Sequence, residues 1–155
     1  MASIDQMLAE YAADHRHPAN QQLHTVCVPV IFISLVGLLT ALPVPAGFGD
    51  LPPFVNWASL ALAAAVAWYM VKSLRFGMAM LVVSAVSLML VACLASLPWP
   101  LWASSTALFV VAWIGQFVGH HIEGKRPSFF RDLQFLLVGP LWVIVKLVPR
   151  FNARD

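Results

Sequence analysis

At 155 residues the chain has room for one domain, and with 61% hydrophobic and only 10% charged residues it lies far outside the composition of soluble globular proteins. It reads as an integral membrane protein. A formal net charge of +2 is too small to suggest a nucleic-acid partner, and the cations sit beside apolar segments, where lipid headgroups are their natural neighbours.

The first 22 residues carry Asp5, Glu10, Asp14 and Arg16 and lack a basic start followed by an apolar core. No cleavable signal is therefore expected, and the first span serves as its own insertion signal. Residues 3–14 read as a short surface helix, because Ser3-Ile4-Asp5-Gln6 has the form of a capping box and Ile4, Met7, Leu8 and Tyr11 share one stripe. His17-Pro18 breaks it, since a residue before proline is pushed out of the helical region and proline suits a new first turn.

A spanning helix is expected over 18–42, whose part from Val26 onward has no charge and is long enough to cross a core of about 30 Å at about 1.5 Å per residue. The loop that follows is rich in Pro and Gly. Further spans are expected over 54–71, ended by Lys72 and Arg75; over 76–97; and over 101–121, after the tight reversal Pro98-Trp99-Pro100. Between Phe76 and His121 there is no Asp, Glu, Lys or Arg, so this stretch reads as a membrane hairpin. The segment 133–148 is short, contains Gly139-Pro140 and Lys146 and is followed by Arg150 and Arg154. It reads as a re-entrant or interfacial helix, which needs protein to cover any non-helical backbone.

The expected architecture is thus all-α: one membrane domain over 1–155, a bundle of four transmembrane helices with an N-terminal surface helix and the C-terminal segment. Four crossings return the chain to its starting side. That side holds Arg16, Lys72, Arg75, Lys125, Arg126 and Arg131, whereas the other holds Asp50 alone, so the positive-inside rule makes it cytoplasmic. A bacterial inner membrane suits these features, with an endoplasmic reticulum membrane as the alternative. Cys27 and Cys93 make no disulfide framework and have no zinc-ligand spacing; both read as packing residues.

All five histidines fall in two short segments, His15, His17 and His24 before the first apolar run and His120 with His121 after the fourth. Span counting puts both at one face of the bilayer. Imidazoles are donors that iron, zinc, copper and nickel accept, yet His17 and His24 lie two turns apart, about 10.5 Å along a helix axis. A shared ion needs the bend at Pro18 to swing the earlier histidines inward. In the second cluster His120 and Glu123 share a helical face, with Gln116 one turn earlier, while His121 points about 100° away. The plainer alternatives are histidines that bond only to headgroups or backbone, and a Glu123 that pairs with Lys125 or Arg126 in solvent. Ionisable groups at a bilayer edge usually face the bundle interior and mark function, and several histidines plus a carboxylate without cysteine suit non-haem iron(II) or zinc.

Phosphate loops, a Ser elbow and Cys-x-x-Cys are absent. The six Trp and ten Phe read as interfacial belts and lipid-facing packing. Gly37, Gly77 and Gly115 read as close-approach points between helices.

His15, Asn20, His24 and Pro29, in the pattern H-x-x-x-x-N-x-x-x-H-x-x-x-x-P, and Trp113-x-x-Gln116-Phe117-x-Gly119-His120 followed by Glu123, Arg126 and Pro127, together resemble a family of small membrane proteins formerly catalogued as a domain of unknown function. Its fungal members are 2-hydroxy fatty acid dioxygenases that take part in phytosphingosine breakdown to odd-chain fatty acids. The resemblance covers nearly the whole chain. It implies Fe(II) as cofactor, dioxygen and a 2-hydroxy fatty acid as substrates, and alpha-oxidation that removes the carboxyl carbon. Carried over, the metal-binding residues are His15, His24 and His120, with His17 and His121 ranked below them. Asn20 and Gln116 become polar groups that orient ligands, and Glu123 fills an acidic position as ligand or base. Lys146 stands where some members carry an acid. Arg16, Lys125 or Arg126 would hold the substrate carboxylate.

Two other classes of function remain open from the sequence. One is a zinc-dependent membrane lipid hydroxylase or hydrolase; the other is a non-enzymatic scaffold or transporter. The bilayer is the expected surrounding in every case, and homo-oligomer formation is left open.

Overall fold

The computed structural model describes residues 3–48, 51–52, 54–124 and 137–148. Among them are six α-helices, a short 3-10 turn at Ala46–Phe48 and no strand: α1 (Ile4–Asp14), α2 (Pro18–Ala41), α3 (Trp57–Lys72), α4 (Leu74–Ala95), α5 (Leu101–Glu123) and α6 (Val138–Leu147). The chain falls into two compact units, one from Met1–Phe32 with Val110–Asp155 and one from Ile33–Phe109. The divisions lie inside α2 and α5.

In the first unit, α1 starts at the capping box read from the sequence. Ser3 Oγ accepts the Gln6 N–H at 3.2 Å, and the Ser3 N–H donates to Gln6 Oε1 at 2.8 Å. Ile4, Leu8 and Tyr11 are its buried stripe, and α1 packs on α6. Gly139 of α6 leaves no room for a side chain, since a Cβ there would lie 2.7 Å from Val28 Cγ1 of α2. Gly115 of α5 does the same toward α2, where a Cβ would come within 2.6 Å of Cys27 Sγ. The helix α5 ends at Gly124, whose φ of 71° is the left-handed turn that glycine adopts without strain.

In the second unit, α3 and α4 share Ser73 as their single joint and pack along one another. A Cβ on Gly77 would come within 2.8 Å of the Met70 backbone, so these helices touch main chain to main chain. The serines Ser34, Ser84, Ser87 and Ser105 are buried, whereas Val71, Leu74, Val82, Met89 and Trp102 are exposed. Apolar outside and small-polar inside is the pattern of helices that face lipid.

Among the described residues, three helices are long and apolar enough to cross a membrane: α2, α4 and α5. The expected span over 54–71 is shorter than that, because Asn56 caps α3 by accepting the Ala58 and Ser59 N–H groups at 3.0 and 3.1 Å, and Ser59 Oγ accepts the Asn56 N–H at 3.0 Å. Sixteen residues remain, about 24 Å at the helical rise. In the expected segment 133–148, residues 133–136 lie outside the described ones. The rest is helical from Val138, since Pro140 in a first turn gives up an N–H that has no partner there anyway. Both cysteines are free; Cys27 is buried as expected, but Cys93 is exposed.

Candidate metal centre

Three side chains from three places in the sequence meet inside the first unit. His15 follows the last residue of α1, where its backbone leaves the helical region (φ −126°, ψ 76°), His24 lies in α2, and His120 lies one turn from the end of α5. The bend before Pro18 carries His15, rather than His17, onto α2. The rings of His15 and His24 are 4.2 Å apart between centroids, those of His24 and His120 5.0 Å, and those of His15 and His120 5.5 Å. One nitrogen from each ring lies within 4.8 Å of the others. All three are buried, at 3%, 1% and 5% exposure.

Two of the rings are oriented by carbonyls one turn before them. Nδ1–H of His15 donates to Tyr11 O at 2.6 Å, and Nδ1–H of His24 donates to Asn20 O at 3.0 Å. Because a carbonyl only accepts, the proton of each neutral ring sits on Nδ1 and the lone pair on Nε2. Such bonds fix the tautomer and ring plane of metal-binding histidines. Three imidazoles with two tautomers set in this way, free of competing thiolates, fit a divalent transition metal.

The walls of the cluster include residues that had no role in the site on the sequence alone. Tyr11 stacks on His15 at 4.3 Å, and Trp142 of α6 lies 5.2 Å from Tyr11 and 6.0 Å from His15. Gly119 of α5 lies against the cluster: a Cβ there would clash with Asn20 Oδ1 and stand 3.3 Å from His24 Cε1 and Nδ1. A signal for Gly119 existed in its place directly before His120. Tyr11 had one as well, four residues before His15; nothing pointed to Trp142.

The remaining expected residues divide by position. Asn20 is fully buried, and its Nδ2 donates to Glu123 Oε2 at 2.9 Å, while its Oδ1 has no hydrogen-bond partner among the described residues. Gln116 is buried too, one turn before His120, and its Oε1 is likewise without a partner among them. Glu123 reaches the other way, to the turn between α1 and α2: Oε1 accepts the Arg16 N–H at 2.9 Å and Oε2 the His17 N–H at 2.8 Å. It is not among the grouped metal-binding side chains. His17 and His121 are exposed, and His17 Nδ1 accepts the Ala19 N–H at 3.2 Å at the start of α2. The Arg16 side chain is exposed; Lys125 and Arg126 lie outside the described residues.

No curated protein matches the chain, and no solved structure does. The family described as Mpo1-like, 2-hydroxy-palmitic acid dioxygenase, matches residues 1–151, which takes in both histidine segments and every wall of the cluster. On that match the chain belongs to the 2-hydroxy-palmitic acid dioxygenase Mpo1-like family.

Proposed function

We propose that the protein is a membrane-embedded, Fe(II)-dependent dioxygenase that converts 2-hydroxy fatty acids to fatty acids one carbon shorter. The observation that carries this is the convergence of His15, His24 and His120 in a buried cluster in a chain of this family. His15, His24 and His120 would hold the ion, which when bound supplies open positions for dioxygen and for the hydroxyl and carboxylate of the substrate. The overall reaction balances without a further reductant: R–CH(OH)–COOH and O2 give R–COOH, CO2 and H2O. The substrate carbons lose the electrons that dioxygen gains.

The chain's own residues have separable tasks. Tyr11 O and Asn20 O hold the His15 and His24 rings in the Nδ1–H form. Gln116 offers a buried amide to the substrate or to an ordered water, one turn from His120. The rings of Tyr11 and Trp142 shield one side of His15 from water, and Arg16, with Lys125 and Arg126, is suited to attract the carboxylate from the headgroup layer.

The proposed placement in the membrane rests on parity. Arg16, before α2, is hydrogen-bonded to Glu123, at the end of α5, which supports a reading with an even number of crossings between them. With α2, α4 and α5 as long apolar helices, the fourth crossing falls to α3. Its Lys72 ammonium, 4.8 Å over the Trp68 ring, suits a side chain reaching for headgroups from a short span. The bias of cations toward this side makes it cytoplasmic.

Incubation of the purified protein with Fe(II), dioxygen and 2-hydroxypalmitate, read by mass spectrometry, tests the function. The expected product is the acid one carbon shorter. Its absence from protein shown to be iron-loaded defeats the proposal. Three histidines also suit zinc, so activity regained with Fe(II) and not with Zn(II) after anaerobic metal removal is part of the same expectation.

A further inference from the structure

Glu123 occupies the acidic position three residues after His120, where a carboxylate would ordinarily be read as a fourth ligand or a base. Its oxygens are engaged elsewhere. Oε1 accepts the Arg16 N–H at 2.9 Å, and Oε2 accepts both the His17 N–H at 2.8 Å and Asn20 Nδ2 at 2.9 Å. All three donors belong to the five residues that join His15 to the first turn of α2. The carboxylate therefore ties the end of α5 to the one segment whose path decides where His15 and His24 stand.

The connections continue inward. Asn20, held by Glu123 through its side chain, receives the His24 Nδ1–H on its backbone carbonyl at 3.0 Å, and its Oδ1 rests against Gly119, the residue before His120. On the other side of the turn, the His15 carbonyl accepts Gln21 Nε2 at 2.8 Å, which fixes His15 to α2 as well. A negative charge at this point also faces the N-terminal end of α2, where the helix dipole favours it.

We infer that Glu123 is a positioning residue, a clasp that pre-forms the three-histidine site by holding the α1–α2 turn to α5, and that it neither binds the metal nor exchanges protons with substrate. The inference rests on the histidine cluster being the metal centre. The clasp acts on metal affinity through His15 and His24, so the ion once bound has the same donors with or without it. Replacement by Gln keeps one acceptor but sets an amide donor against N–H donors; replacement by Asp keeps the charge on a shorter arm.

The test compares the parent with Glu123→Ala, Glu123→Gln and Glu123→Asp, purified without metal and titrated anaerobically with Co(II). The readouts are the dissociation constant, the Co(II) ligand-field spectrum at saturation, and amide hydrogen exchange at Arg16 and His17. Expected are an affinity lower by about 10- to 100-fold in the Ala and Gln variants, the range for loss of a group that orients ligands, an unchanged spectrum at saturation, and faster exchange at both amides. The Asp variant is expected between these and the parent. Gly77→Ala, which perturbs the α3–α4 contact instead, controls for general loss of stability and should leave the dissociation constant unmoved.

An altered spectrum at saturation would make Glu123 a ligand and overturn the inference. Unchanged affinity, or weakened affinity with both amides still protected, overturns it too. Should the Ala variant fail to fold, the Gln and Asp variants carry the same comparison. A parent that binds no Co(II) defeats the metal reading instead, and exchange at Arg16 and His17 then decides whether the clasp exists.

Discussion

Gly119 of α5 and Asn20 of α2 lie so close that no carbon fits between them: a Cβ on Gly119 would overlap Asn20 Oδ1 and stand 3.3 Å from two atoms of the His24 ring. The two helices that bear His24 and His120 thus meet at a residue without a side chain. Gly119→Ala forces them apart at the cluster, and overpacking of a tight contact costs about 1–3 kcal/mol. Expected are a lower thermal midpoint in detergent and weaker metal binding. Removal of the opposing amide in Gly119→Ala with Asn20→Ala should return part of the midpoint but not the metal affinity, because Asn20 also joins Glu123.

Single replacements of His15, His24 and His120 by Ala should each abolish stoichiometric metal, measured by elemental analysis after loading and desalting. The same change at His17 or His121, both exposed, should leave the metal content at the parent level. Retention of a full equivalent in His24→Ala would defeat the three-histidine site.

Chelation should lower the thermal midpoint of the parent. A metal that binds only the folded state stabilises it by about 2.7 kcal/mol when free metal is one hundred times the dissociation constant. His24→Ala, with no site to fill, should show the same midpoint with and without metal. Differential scanning fluorimetry across a metal titration checks both.

Gln116→Leu should separate stability from activity. Its Oε1 is buried without a partner among the described residues, and removal of such an atom costs a fold little or stabilises it. The midpoint is expected to hold or rise while kcat/KM for the 2-hydroxy acid falls. A fall in both would place Gln116 in the packing alone.

Much of the helical framework was legible because its boundaries are written in local chemistry. The Ser3–Gln6 capping box, the break at His17-Pro18 and the reversal before Leu101 each act over a few residues, and the structure starts or ends helices within a few residues of them. The short α3 was less legible: the Asn56 cap is equally local, but it lies inside a run without charge from Phe54 to Val71, which hid it. In the candidate site, proximity of the two histidine segments followed from counting spans. Counting alone did not decide which of His15 and His17 turns inward, because that depends on where α1 stops; the family resemblance ranked His15 first. Glu123 was harder still. Its partners at Arg16 and His17 are backbone N–H groups, which every residue but proline carries, so no residue type marks them.

The ring nitrogens that group together are supplied by positions 15, 24 and 120, so the pocket has no meaning until the fifth helix has been synthesised and inserted. A nascent chain holding only the early pair offers two donors, too few to retain an ion against cellular competitors. On the metal reading, loading would therefore wait for α5 to deliver His120 to the earlier pair.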